Sequence, residues 1–151
     1  MEAILNANRA ARTGAVTANM TRMSIRIYIV EDHPLVRRGW RLLLSLEPDF
    51  DVCGEAETQA QAFAQMRALQ PDVAIVDLRL KEGNGLDLIP QLRAGCPRLK
   101  IVVFSMHGER CRVDQTLRAG ADAFVLKEEG TVKVIRAIRQ ICGGEGQAAG
   151  P

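Results

Sequence analysis

The chain has 151 residues, 47% of them hydrophobic and 25% charged, a profile that fits one soluble globular domain with one core. Its 20 basic residues face 18 acidic ones, and the excess of two lies in the first 23 residues, where Arg9, Arg12 and Arg22 are opposed by Glu2 alone. With the remainder formally neutral and aromatic content at 4%, composition argues against a broad electrostatic footprint or base-stacking platforms for nucleic acid, hence against direct DNA binding by this chain.

Residues 1–23 are read as an N-terminal extension, because they hold too few large apolar residues to form a core. They lack the continuous apolar segment of a signal peptide, and no run in the chain approaches the ~20 apolar residues that a membrane-spanning helix requires. The expected location is the cytoplasm, with no membrane partner. Cys53, Cys96, Cys111 and Cys142 show no Cys-x-x-Cys spacing, so they are read as reduced packing residues rather than as a zinc site or disulfide framework.

From Ser24 onward short apolar runs alternate with segments of helical period. Ile25–Val30 reads as the first strand and Pro34–Leu46 as a helix. Phe50–Gly54, less apolar, suits an edge strand and precedes a helix over Thr58–Leu69. Val73–Val76 is a strand buried on both faces, followed by a helix over Leu86–Arg93. Ile101–Phe104 and Ala123–Leu126 are further buried strands, with helices over about Glu109–Arg118 and Thr131–Ile141. Ala62, Phe63, Met66 and Leu69 recur on one helical face, as do Val134, Ile138 and Ile141. The glycine-rich end GGEGQAAGP reads as the start of an interdomain linker, giving a domain over 24–143 and a tail over 144–151.

Strict alternation of strand and helix implies right-handed crossovers and helices on both faces of a parallel sheet. The expected fold is α/β, a (βα)5 doubly wound parallel sheet of five strands resembling the flavodoxin-like folds, whose strand order is 2-1-3-4-5. Ligands of such sheets bind at the carboxyl ends of the strands, where the strand order reverses. Those ends carry Glu31 and Asp32, then Asp77, then Ser105, then Lys127.

Three crowded carboxylates repel one another and ionise together at neutral pH only when a cation shares their site. Magnesium is the natural choice, since it takes hard oxygen ligands and is commonly held by one or two carboxylates plus phosphate oxygens. Lys127 then supplies a compact positive charge for a transferring phosphoryl group, Ser105 a hydroxyl for one of its oxygens, and Asp77 a nucleophilic carboxylate.

The segments VEDHPLVRRG, PDVAIVDLRL with Gly85 eight residues after Asp77, VVFSMH and AGADAFVLK stand in order at successive strand ends. Over nearly all of residues 24–143 the sequence resembles the receiver domains of two-component response regulators, most closely in the NarL/FixJ style, in which a DNA-binding output domain usually follows. The resemblance implies that Asp77 accepts a phosphoryl group from the phosphohistidine of a sensor histidine kinase. It implies that Asp32, Asp77 and the backbone carbonyl of Arg79 bind Mg2+ directly, with Glu31 reaching the ion through water. Ser105 would contact the phosphoryl group, Lys127 would pair with it, and Phe124 would occupy the rotating aromatic position of the switch. The fourth helix, fifth strand and fifth helix would then alter their exposed surface and its preference for a partner or a second copy in a homodimer. DNA would be reached only through an output domain. No turnover of a separate substrate is expected.

Lys81 and Glu128 stand where prolines are frequent in that family, and Phe124 lacks the hydroxyl of the frequent tyrosine. Simpler readings compete at each position. Glu31 and Asp32 could be capping residues ahead of Pro34, and Asp77 could merely end a strand. Gly83-Asn84-Gly85 follows the third strand without the third glycine of a dinucleotide loop, so it reads as a turn. His33 and His107 lack spaced companion ligands and read as loop or helix-start residues, while Arg37, Arg38 and Arg41 read as a solvated helix face or a partner-contact surface. A pseudo-receiver that is never phosphorylated is the alternative function. A phosphohydrolase of the haloacid dehalogenase kind would need a second Asp two residues after the nucleophile, where this chain has Arg79.

Overall fold

A computed structural model of the chain describes residues 24–106, 108 and 110–147. The expectations for residues 1–23, His107 and the last four residues lie outside the described residues. In chain order the elements are β1 (Ile25–Val30), α1 (Pro34–Ser45), β2 (Phe50–Ala56), α2 (Gln59–Leu69), β3 (Val73–Val76) and α3 (Gly85–Gly95). They continue with β4 (Lys100–Ser105), α4 (Arg110–Ala119), β5 (Ala123–Leu126), a 3-10 turn over Lys127–Glu129, and α5 (Thr131–Gln147).

All strand pairs are parallel, as the alternation of elements predicts, and the sheet order is β2-β1-β3-β4-β5, the expected flavodoxin-like winding. Side chains of successive strand residues point to opposite faces, so continuously apolar strands feed two cores. Along β1, Ile27 and Ile29 pack with Trp40 and Leu44 of α1 and with Val134 and Ile138 of α5. Tyr28 and Val30 pack instead with Ala62 and Met66 of α2 and Leu88, Ile89 and Leu92 of α3. Among the described residues no helix is long and apolar enough to cross a membrane.

Several elements run further than their sequence pattern, among them β2 and the last helix. β2 continues two residues past Gly54 to Ala56, following a bulge in which Val52 pairs with Ile27 and Gly54 with Tyr28, leaving Cys53 as the extra residue. Glycine is needed at that step, because a Cβ on Gly54 would lie 2.7 Å from the Tyr28 ring. The last helix continues to Gln147, into the stretch read as linker.

The register places the functional strand ends side by side. Val30 pairs with both Ala56 and Val76, and Val76 with Val103. The chain leaves β1 and β3 still tied to the sheet, with Glu31 N–H donating to Ala56 O at 3.0 Å and Asp77 N–H to Val30 O at 2.9 Å. Glu31 and Asp77 are thereby delivered next to one another.

Candidate functional site

Glu31 and Asp32 follow β1 and precede the proline that opens α1. The N-cap of that helix is His33, in extended conformation and without a side-chain cap bond, so neither carboxylate serves as the cap. Glu31 is 2% exposed and Asp77, just past β3, is 5% exposed. From the end of the edge strand β5 the Lys127 ammonium donates to Asp77 Oδ2 at 2.8 Å and to Glu31 Oε2 at 3.3 Å. One lysine thus bridges the two buried carboxylates.

The electrostatics follow from that crowding. Burial first, and then the charge of Asp77, push the Glu31 carboxyl above its ordinary value against the opposing pull of His33 and Lys127. Burial would lower the Lys127 ammonium, but the hydrogen bond and charge of Asp77, together with Glu31, prevail and raise it. The exposed His33 is raised by its hydrogen bond to Glu31 and by the Asp32 charge.

Asp32 is the least satisfied member. Its buried Oδ1 has no hydrogen-bond partner, although His33 Nδ1 stands 2.8 Å away as a charge contact. The bond from that nitrogen goes to Glu31 Oε1 at 2.9 Å. Ligand atoms of Glu31, Asp32 and His33 lie within 4.8 Å of one another. Buried carboxylate oxygens in excess of the lysine charge, one of them orphaned, form a hard-oxygen donor set that fits Mg2+.

The loop after β3 is held against this cluster. Arg79 N–H donates to Asp77 Oδ1 at 3.1 Å, and Arg79 bridges to Asn84 across the loop. Asn84 caps α3, accepting from Asp87 N–H at 2.7 Å, so Gly83-Asn84-Gly85 is a turn into a helix N-terminus. Gly83 adopts φ +78°, a left-handed conformation that favours glycine. Gln59, at the start of α2, accepts from Asn84 N–H at 3.1 Å and ties the loop to the neighbouring helix. Asp32 and Arg79 line one cleft, together with Gly83, Asn84 and Arg112.

Ser105 ends β4, is 1% exposed, and pairs in register with Leu126, the residue before Lys127. Phe124 pairs with Val103, two residues further from the cluster along β5, and packs half-buried against the core beneath α2 and α3. Glu31, Asp77 and Lys127 touch directly, Asp32 and the Arg79 backbone flank them, and Ser105 and Phe124 stand on the adjoining strands.

Arg37 departs from its expected place on a solvated face. Its side chain is 16% exposed, and Nη1 donates to the carbonyl of Glu31 at 2.7 Å. The spacing of six residues from Glu31 was the available signal, since it places Arg37 on the first turn of α1, above the acidic loop.

A family model described as the response regulator receiver domain matches residues 27–139. The chain belongs to the response regulator receiver family. It is 34% identical over 120 residues to the DNA-binding transcriptional activator DevR/DosR of Mycobacterium tuberculosis, covering 80% of this chain and 55% of that protein. It is also 34% identical over 119 residues to the nitrate/nitrite response regulator protein NarL of Escherichia coli, covering 79% and 55% respectively. Among solved structures, a two-component response regulator of the LuxR family from Aurantimonas sp. superposes with a TM-score of 0.76 at 30% identity, over 80% of this chain and 86% of that one. The receiver spans about half the length of the curated relatives it matches. Receivers are regulatory modules of two-component systems, with a phosphoryl-transfer switch as their general kind of activity.

Proposed function

We propose that this receiver is switched by phosphorylation of Asp77, taken in the cytoplasm from the phosphohistidine of a sensor histidine kinase, with Mg2+ held by Asp32, Asp77, the carbonyl of Arg79 and, through water, Glu31. The observation that carries the reading is the Lys127 ammonium 2.8 Å from Asp77 Oδ2 and 3.3 Å from Glu31 Oε2, bridging two buried carboxylates.

When bound, the cation supplies positive charge against the carboxylates and the incoming phosphoryl oxygens. Asp77 contributes the nucleophile: a carboxylate oxygen bonds to phosphorus as the P–N bond to the donor imidazole breaks, and the departing imidazole takes a proton. Lys127 exchanges its contact with Asp77 Oδ2 for a phosphoryl oxygen, and the Ser105 hydroxyl donates to another. As the chain around Ser105 is drawn inward, Phe124 turns into the space it leaves, and the surface of α4, β5 and α5 changes. Reversing a population from 1:99 to 99:1 takes about 5.5 kcal/mol of differential stabilisation, within reach of a new charge with several charge-assisted hydrogen bonds. The altered surface then governs an output domain that regulates transcription, or another partner.

Incubation with Mg2+ and a small acyl phosphate, followed by intact-mass measurement, tests the reading. The parent should gain the mass of one phosphoryl group and Asp77→Asn should gain none. A parent that gains no mass is a pseudo-receiver, and the switch reading fails.

A further inference from the structure

We infer that Arg37 is a positioning residue for cation binding: it fixes the peptide that carries Asp32 and so sets the direction of that carboxylate. The inference rests on the Mg2+ site proposed above. Arg37 leaves the first turn of α1, where its own N–H bonds to His33 O at 3.0 Å, and turns back over the acidic loop. Its Nη1 donates to Glu31 O at 2.7 Å. Because a peptide is planar, pinning the oxygen of the Glu31–Asp32 peptide restrains the orientation of the whole unit and hence the bond from Asp32 Cα to Cβ. On the other side of the same residue, Glu31 N–H is bonded to Ala56 O at 3.0 Å. The acidic loop is held from both edges, one by the sheet and one by Arg37.

The guanidinium is itself anchored. Nε lies 4.0 Å from Glu55 Oε1 and Nη1 lies 3.8 Å from Glu57 Oε2, while Arg41 Nε holds the second Glu55 oxygen at 2.9 Å. A planar fork placed between the carboxylates at the end of β2 and the Glu31 carbonyl has little freedom to swing away. This matters for Asp32 because its Oδ1 accepts no hydrogen bond. Apart from the charge contact with His33 Nδ1 at 2.8 Å, the backbone beneath that oxygen supplies its orientation.

A bystander charge and a positioning residue predict opposite signs. Removing a positive charge close to a cation site should strengthen cation binding if Arg37 acts only through its charge. Loss of an outer residue that orients a ligand weakens metal binding by roughly 10–100-fold. The Mg2+ dissociation constant of Arg37→Ala, measured by isothermal titration calorimetry with MgCl2 alone, should therefore rise by that factor, and Arg37→Lys, which retains a donor, should recover part of the loss. A purely structural role would lower the urea midpoint equally with and without Mg2+ and leave the constant unmoved. If Arg37→Ala fails to fold, Arg37→Gln is judged by the same rule. An unchanged or tighter constant in the folded variant overturns the inference while leaving the proposed site intact. A parent that binds no Mg2+ overturns the site and the inference together.

Discussion

Gly85 packs directly on Asp77: a Cβ added to Gly85 would collide with the Asp77 carbonyl oxygen and lie 2.8 Å from Leu78 Cα. Its N–H also donates to Leu78 O at 2.9 Å, closing the loop that leads from Asp77 to α3. Backbone atoms are the obstacle, so no side-chain rotation relieves the clash. Gly85→Ala should lower stability by about 1–3 kcal/mol, the usual range for overpacking, and slow phosphorylation of Asp77 by displacing its backbone. Urea unfolding reads the first effect and intact-mass time courses the second. A variant with the parent's midpoint would contradict the packing argument.

A ligand that binds only the folded chain stabilises it by an amount set by its concentration, about 2.7 kcal/mol at 100 times the dissociation constant. Saturating Mg2+ should therefore raise the urea midpoint of the parent over its value in EDTA. Asp32→Asn and Asp77→Asn should each erase most of that rise, because each converts a charged oxygen ligand into a neutral amide. Equal Mg2+ responses in parent and both variants would place the cation elsewhere.

Much of the fold was legible because its strands are short apolar runs with no competing period. Ile25–Val30, Val73–Val76 and Ala123–Leu126 have the same limits in sequence and structure. The extra length of β2 was hidden because Glu55 reads as a loop residue, whereas it lies beside Arg41 and Arg37 at the sheet edge. The convergence of Glu31, Asp77 and Lys127 follows from strand order, which βα alternation leaves open between a few windings and the resemblance to flavodoxin-like receivers selects. The inward turn of Arg37 does not: Arg37, Arg38 and Arg41 are chemically alike in sequence, and only the position of the Glu31 carbonyl separates the first from the others.

Arg139 of α5 grips the turn between α1 and β2, donating to Glu47 Oε2 at 2.6 Å and Asp49 Oδ1 at 2.9 Å, with its guanidinium 4.9 Å from the centre of the Phe50 ring. The Arg139 hydrogen bond holds the Asp49 carboxyl below its ordinary value of 3.8. A depressed folded value means that the folded chain binds the proton less readily than the unfolded one. The contribution is therefore present above the ordinary value and is lost as pH falls through the lower, folded one. Both side chains are nearly half exposed, so solvent screens the pair and Arg139→Gln should cost only about 0.2–1 kcal/mol through the ion pairs at neutral pH, and less in high salt. Thermal melts of parent and variant should converge as pH drops below that range, leaving a residue of about 0.5–1 kcal/mol from the contact with Phe50. A gap that widens in acid would rule out Asp49 as its source.

Lys127 and Arg37 are both cations beside the acidic cluster, yet their removal should move Mg2+ affinity in opposite directions. Arg37 holds backbone, whereas Lys127 occupies carboxylate oxygens directly, bridging Asp77 and Glu31. A metal ion entering the cluster competes with that ammonium for negative charge. Two unit charges about 4 Å apart interact by about 4 kcal/mol at an effective dielectric of 20, and water in the half-open site screens much of this. Lys127→Ala should therefore tighten Mg2+ binding by up to about tenfold, the equivalent of 1.4 kcal/mol. The same variant should lose phosphorylation from a small acyl phosphate by about 10²–10³-fold, because the charge that meets the transferring phosphoryl group is gone. Calorimetry and mass spectrometry on one preparation read the two effects. Weaker Mg2+ binding together with slower phosphorylation would mean that Lys127 organises the site rather than competing for it, and the division of labour argued for the two cations would fail.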